Sequence, residues 1–254
     1  NWAEVNNDYY QMALDEAEMG ILDPSGSSDW TALHGTAIAE RSVWFQFTLS
    51  NTDYMGAGKL LVDMLERDND SRLNIYFLGS GTTDIVGVSP GDSIQNASML
   101  NITGHYGMQW EPEFVSWYEN SFIQAECHYK LGNEGLALAK LNETLDGIEQ
   151  GWQGLGFSSA SVPRYSDISG EELFAAIMNE KYKALFLNMQ SWSDWRRTGY
   201  PNFIDSENNS TECGGASDGN GVPRRLLYPE KEKASNPNCP QNDGIYDRLE
   251  NDPS

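Results

Sequence analysis

Basic residues are scarce in this sequence. Sixteen Lys and Arg stand against thirty-eight Asp and Glu, a formal net charge of −22 over 254 residues. A surface so charged repels phosphate backbones and anionic headgroups, which excludes nucleic acid as a partner, although charge of this kind speaks to solvation rather than fold. Long apolar runs are missing too: no stretch of about 18 apolar residues occurs, so no segment reads as a membrane-spanning helix. The chain opens on Asn1-Trp2-Ala3-Glu4, with neither an initiating methionine nor a basic-then-apolar leader, which points to a piece of a longer precursor.

The groups that carry out chemistry are equally sparse. There are three histidines, His34, His105 and His128, and neither a G-x-S-x-G nor an H-E-x-x-H pattern. Asp68-Asn-Asp70 and Asp218-Gly-Asn220-Gly have the composition of calcium loops, but neither runs on to the bidentate Glu that closes one. Three cysteines occur without C-x-x-C spacing. Cys127 lies in an apolar-periodic segment and reads as a buried thiol, whereas Cys213 and Cys239 lie in polar, Gly/Asn/Pro-rich sequence where a disulfide between them stays open. Thirty-eight carboxylates admit a paired-carboxylate glycosidase on numbers alone. No spacing singles out a pair, so no catalytic residue, metal ligand or cofactor is assigned.

Helical periodicity dominates what is present. Apolar residues at i, i+3 and i+4 spacing predict helices near 4–20, 54–67, 114–131, 134–150 and 170–190. Ser169-Gly-Glu-Glu172 fits a capping box at the start of the last of these. Leu131-Gly132-Asn133 supplies a left-handed cap between the third and fourth, predicting an antiparallel helix hairpin over 114–150 whose small Ala125, Ala137 and Ala139 resemble a tetratricopeptide-type pair. A short strand is predicted at Leu73–Leu78, a long loop from Gly79 to Gly107, and mostly loops beyond Pro201. The expected fold is mainly α, one region over 1–254 with long irregular loops.

Four segments, in order, resemble the SusD/RagB family of outer-membrane nutrient-binding lipoproteins. Leu65-Glu-Arg-Asp-Asn-Asp70-Ser-Arg72-Leu73 is similar to the family's helix and D-x-R-L step. Phe114 to Gly132, with Ala125-Glu126 and Leu131-Gly132, is similar to its helix ending in AE…LG. Ile177-Met-Asn-Glu180-Lys181-Tyr182 and Trp192-Ser-Asp194-Trp195-Arg196-Arg197-Thr-Gly-Tyr-Pro201 resemble its QKW…W-x-D-x-RRTGYP pattern. Val222-Pro-Arg224-Arg-Leu-Leu-Tyr228-Pro-x-x-Glu232-x-x-x-Asn236 resembles P-x-R-x-x-YP-x-x-E-x-x-x-N. The resemblance implies a SusD-like fold seen in its C-terminal part, with a signal peptide, a lipidated cysteine and further tetratricopeptide-like helices ahead of residue 1. It also implies a non-catalytic protein on the cell surface at the outer membrane that captures oligosaccharide, or peptide, for a SusC-like TonB-dependent transporter. The competing reading is a tetratricopeptide-like scaffold that binds a protein partner and no small ligand.

Arg196 and Arg197 follow a helix end amid tryptophans, where guanidinium groups fork onto carboxylates and stack on indoles. They are expected to act structurally, with Trp192, Asp194 and Trp195, tying that helix to Arg224, Tyr228 and Glu232. A glycan face needs exposed flat aromatics beside polar groups. The loop ahead of residue 114 offers His105, Tyr106, Gln109 and Trp110, and the other loop-rich stretch offers Trp30 and Trp44; these are the candidate ligand residues.

Overall fold

A computed structural model describes residues 6–20, 23–52, 54–79, 84–89, 93–202 and 228–239. Nine α-helices are seen among them: α1 Asp8–Glu18, α2 Val43–Ser50, α3 Lys59–Arg67, α4 Arg72–Tyr76, α5 Trp117–Lys130, α6 Glu134–Gly154, α7 Gly170–Ala184, α8 Gln190–Thr198 and α9 Glu230–Ser235. Two small antiparallel ladders join β1 Trp30–Thr31 to β4 Glu113–Val115 and β2 Phe77–Leu78 to β3 Met99–Leu100. The fold is mainly helical, as the periodicity requires, and no described helix is long and apolar enough to cross a membrane.

The hairpin of α5 and α6 is the spine. Gly132 sits at φ +80°, a conformation a side chain disfavours, and the amides of Gly132 and Asn133 bond to the carbonyls of Tyr129 and His128 at 2.9 and 2.8 Å. That reversal lays α6 along α5, and α7 packs against both, burying Phe122, Ala125, Ala137, Leu141, Leu145, Leu173 and Ile177 completely. A second core gathers Leu61, Val62 and Leu65 of α3 with Ile75, Tyr76, Phe77, Leu100 and Tyr106. Trp152, near the end of α6, packs against both cores.

Several expectations are corrected. Residues 73–76 are helical rather than extended, because the Asp70 carboxylate accepts the Arg72 amide at 3.0 Å and starts α4 there; only Phe77–Leu78 pair as a strand. The helix expected over 170–190 ends at Ala184, and Leu187 at φ +66° turns the chain before α8 begins. The capping box at Ser169 does not form. The Gly170 amide is taken instead by the Glu134 carboxylate of α6 at 3.0 Å, a cap supplied by tertiary structure.

Three of the four family-like segments converge on two charged clusters. In the first, the guanidinium of Arg72 spans Asp70 (Nε to Oδ1, 2.9 Å) and Glu180 (Nη2 to Oε2, 2.5 Å). Lys183 donates to Glu180 Oε1 and Asp68 Oδ2, both at 2.6 Å, and the Tyr165 hydroxyl donates to Glu180 at 2.7 Å. The side chains of Arg72, Asp70, Glu180 and Lys183 are wholly buried. Burial by itself would raise the Glu180 pKa, but Arg72 and Lys183 outweigh it and hold the carboxyl below its ordinary range.

In the second cluster, Arg197 of α8 forks onto Glu126 of α5 and bonds Asp194 at 2.7 Å, while Asp194 also pairs with Lys181 of α7 at 2.8 Å. Arg196 lies over the Trp192 ring at 4.9 Å, and Trp195 is buried. The staple therefore ties α8 to α5 and α7. Among the described residues its acidic partners are Glu126 and Asp194, and Glu232 accepts from Asn236 within its own segment at 2.6 Å. Tyr228 is half-buried just ahead of α9, and Arg224 and Cys213 lie outside the described residues. Cys127 is buried as expected, and burial pushes its thiol up to about 11.

Candidate functional site

Where the two cores meet, a cavity of about 670 Å3 opens between the loop over 24–31, the segment over 105–118 and the last turns of α6. Its walls are aromatic. Tyr76 stacks on Phe186 at 4.8 Å between centroids, Tyr106 meets Trp110 edge-on at 4.8 Å, and His105 meets Trp152 edge-on at 4.6 Å. Trp117 and Tyr118, at the start of α5, complete the wall.

These rings are fixed from behind. The Tyr76 hydroxyl donates to the Lys183 carbonyl at 3.0 Å. The Asn101 amide bonds the Tyr76 carbonyl at 2.9 Å, and the Tyr106 amide bonds the Asn101 carbonyl at 3.1 Å, so the long loop hangs on α4. The opening itself comes from α6: Gly151 and Gly154 line it, and no atom lies within 4 Å of where a methyl on either would stand. One turn earlier, a methyl on Gly147 would fall 2.6 Å from Trp117 Cη2, so that glycine is what lets the indole lie against the helix.

Among the described residues, two carboxylates line the cavity, and Lys and Arg do not. Asp29 accepts the Trp117 amide at 2.7 Å. Burial lifts its pKa to about 6, opposed by that amide and assisted by Asp23. Burial likewise lifts Glu113 to about 7, with Asp29 and Glu111 adding repulsion and the Tyr118 hydroxyl holding it down. His105, desolvated among the rings, is pushed down to about 4 and is neutral at ordinary pH. Glu113 thus holds more protons folded than unfolded between its ordinary value of 4.5 and about 7, and its contribution to stability falls as pH rises through that window. His105 works in the opposite sense over its own range. The expected result is that Glu113→Gln gains melting temperature relative to the unmutated protein between about pH 5 and about pH 8. A difference that stays constant with pH would refute the burial of this charge.

The candidate ligand residues divide. His105, Tyr106 and Trp110 line the cavity. Tyr106, expected to be an exposed ring, is 3% exposed and belongs to the second core, because Tyr76, Trp110 and Phe186 surround it. Gln109 is exposed and faces a second, more open recess of similar size, for which His105, Trp110 and Glu113 are the shared wall. Trp30 is 66% exposed and pairs with Phe114 at 5.2 Å, outside the cavity. Trp44 is half-buried against the second core. Asp29, Glu113, Trp117 and Trp152 were not singled out from sequence. The signal that marks them is Gly147, Gly151 and Gly154 at i, i+4 and i+7 beside Trp152, a helix face without side chains.

The SusD-like family described as "starch-binding associating with outer membrane" matches residues 3–229. The chain belongs to this family. Among curated proteins nothing matches the chain. Among solved structures, this SusD-like chain is similar to one named a chitin-binding protein, with a TM-score of 0.67 and 21% identity over 92% of this chain and 55% of that one. It is also similar to two SusD homologs from Bacteroides fragilis. The first has a TM-score of 0.66 and 17% identity, over 91% of this chain and 57% of the other. The second has a TM-score of 0.63 and 16% identity, over 87% and 54%. At these identities the likeness establishes the shared fold, and this chain spans little more than half the length of each structure.

Proposed function

We propose that this SusD-like protein captures oligosaccharide in the aromatic cavity at the junction of its two cores and does not cleave it. The observation that carries the reading is the cavity wall: flat rings of Trp110, Trp152 and Trp117 beside polar groups of Asp29, Thr31, Glu113 and Gln150. Apolar faces of pyranose rings stack on such surfaces while hydroxyls need partners at the edges. The family's description as starch-binding and the name of the chitin-binding neighbour support glycan over peptide as the ligand class. In the whole protein, attachment to the outer membrane through a lipid anchor and delivery to a SusC-like TonB-dependent transporter belong to the same proposal. The test is a panel of soluble glycans and peptides titrated against the protein, with product analysis after long incubation. Saturable binding of a glycan that is recovered intact is expected. Binding of peptide alone, or shortened glycan, would overturn the reading.

A further inference from the structure

We infer that the cavity selects glycans bearing a free, protonated amine, the 2-amino-2-deoxy sugars, over neutral and acidic ones; that the ligand is a glycan rests on the function proposed above. The cavity brings the carboxylates of Asp29 and Glu113 among the rings of Trp110, Trp117, Tyr118 and Trp152, and among the described residues no Lys or Arg lines it to balance them. A carboxylate enclosed without a cation loses hydration and recovers little from a neutral ligand. A bound ammonium restores the balance twice, through charge-assisted hydrogen bonds to the carboxylates and by lying against the negative faces of the rings. The elevated pKa values of both acids, driven first by burial, are what two enclosed carboxyls lacking a cation display.

The polar contacts of the two acids fall on different groups. Asp29 Oδ1 is committed to the Trp117 amide at 2.7 Å, whereas Oδ2 lies beside Gly26, 3.4 Å from where a methyl on that glycine would stand. Of the ring nitrogens nearby, those of His105 belong to a neutral imidazole that adds no competing positive charge. A uronate or sulfated sugar brings a third negative charge into the same enclosure, which costs affinity. The net charge of −22 acts at longer range in the same direction, drawing cationic oligomers and repelling anionic ones.

The test is calorimetric titration at low salt with four probes: the glucosamine tetramer, the N-acetylglucosamine tetramer, the galacturonate tetramer and tetralysine. The glucosamine tetramer is expected to bind about tenfold more tightly than its N-acetylated counterpart, with the galacturonate tetramer weakest. In Asp29→Asn with Glu113→Gln, whose net charge changes only from −22 to −20, the amine-to-acetamide ratio should fall to about one. Glu16→Gln with Glu66→Gln removes the same charge from exposed positions and should keep the ratio. If the double cavity variant unfolds, Glu113→Gln alone serves, with a partial fall expected. Equal binding of the two glucosamine probes, a preference that survives the cavity variant, or tetralysine binding as tightly as the amino glycan would overturn the inference while leaving glycan capture standing. Absence of binding by every oligosaccharide would overturn the proposed function and this inference together.

Discussion

Arg72→Ala costs the protein about 3–5 kcal/mol of stability, the usual consequence of removing one partner from a buried ion pair. Arg72 is wholly buried and holds Asp70 and Glu180 together, so its removal leaves Asp70 with Lys183 at 3.8 Å as its nearest cation and Glu180 with Lys183 and the Tyr165 hydroxyl. For a chain of this size each kcal/mol is about 2–4 °C in Tm, and a fall of about 10 °C is expected. The cause is the stranded charge and not the lost volume alone. Arg72→Met combined with Glu180→Leu should therefore be less destabilising than the sum of its two single changes. Strict additivity would show that the cluster is a set of independent contacts. The effect also reaches the cavity: α4 carries Arg72 and Tyr76 a turn apart, and the Tyr76 hydroxyl bonds the carbonyl of Lys183, so the cluster is the rear support of the cavity wall.

The second large effect is on binding. Trp152→Ala and Trp110→Ala each remove a half-buried ring from the cavity, and stacking contributes about 0.5–1.5 kcal/mol per ring beyond the area buried. Each single change should weaken glycan binding about threefold to tenfold, and the pair more than tenfold. Trp110→Ala is the cleaner probe, because Trp152 also packs against both cores. Tyr106→Ala belongs to another class: with the ring enclosed, truncation opens a core void and lowers stability by an amount typical of buried aromatics, about 3–5 kcal/mol, with a corresponding fall in Tm. Trp30→Ala, whose ring lies outside the cavity, should leave affinity unchanged. Unfolding curves and calorimetric titrations of these variants separate the cases. Equal affinity for Trp110→Ala and the unmutated protein would remove this wall from the site.

The contrast between Tyr106 and Trp110 shows what a sequence can and cannot carry. Helices declare themselves by period, because a stripe of apolar residues must face a core: Phe122, Ala125, Leu141, Leu145, Leu173 and Ile177 are among the positions the spacing marks and are buried, whereas Tyr9, Met12 and Phe114, marked by the same spacing, are exposed. Motif residues declare chemistry without partners. Arg72 pairs with Glu180 across 108 residues of sequence, and nothing local distinguishes a charge that will pair inside from one that will stay wet. The helical turn at 72–76 was obscured because Ile75, Tyr76 and Phe77 have the composition of a strand, whereas a side-chain contact from Asp70 decides the conformation. The bend at Leu187 carries neither Gly nor Pro to announce it. For the site, the aromatic loop over 105–110 was legible, but which face of each ring meets solvent depends on α6 and Phe186 arriving from elsewhere in the chain. Asp29 and Glu113 were invisible among thirty-eight acids until the fold enclosed them.

The central claim, that glycan enters the cavity between the two cores, is tested most directly by a crystal structure of the protein with the tightest-binding oligosaccharide of the panel. The account predicts sugar rings against Trp110 and Trp152, with polar substituents directed at Asp29 and Glu113. Sugar bound instead on the exposed Trp30–Phe114 pair, with the cavity unoccupied, would contradict it.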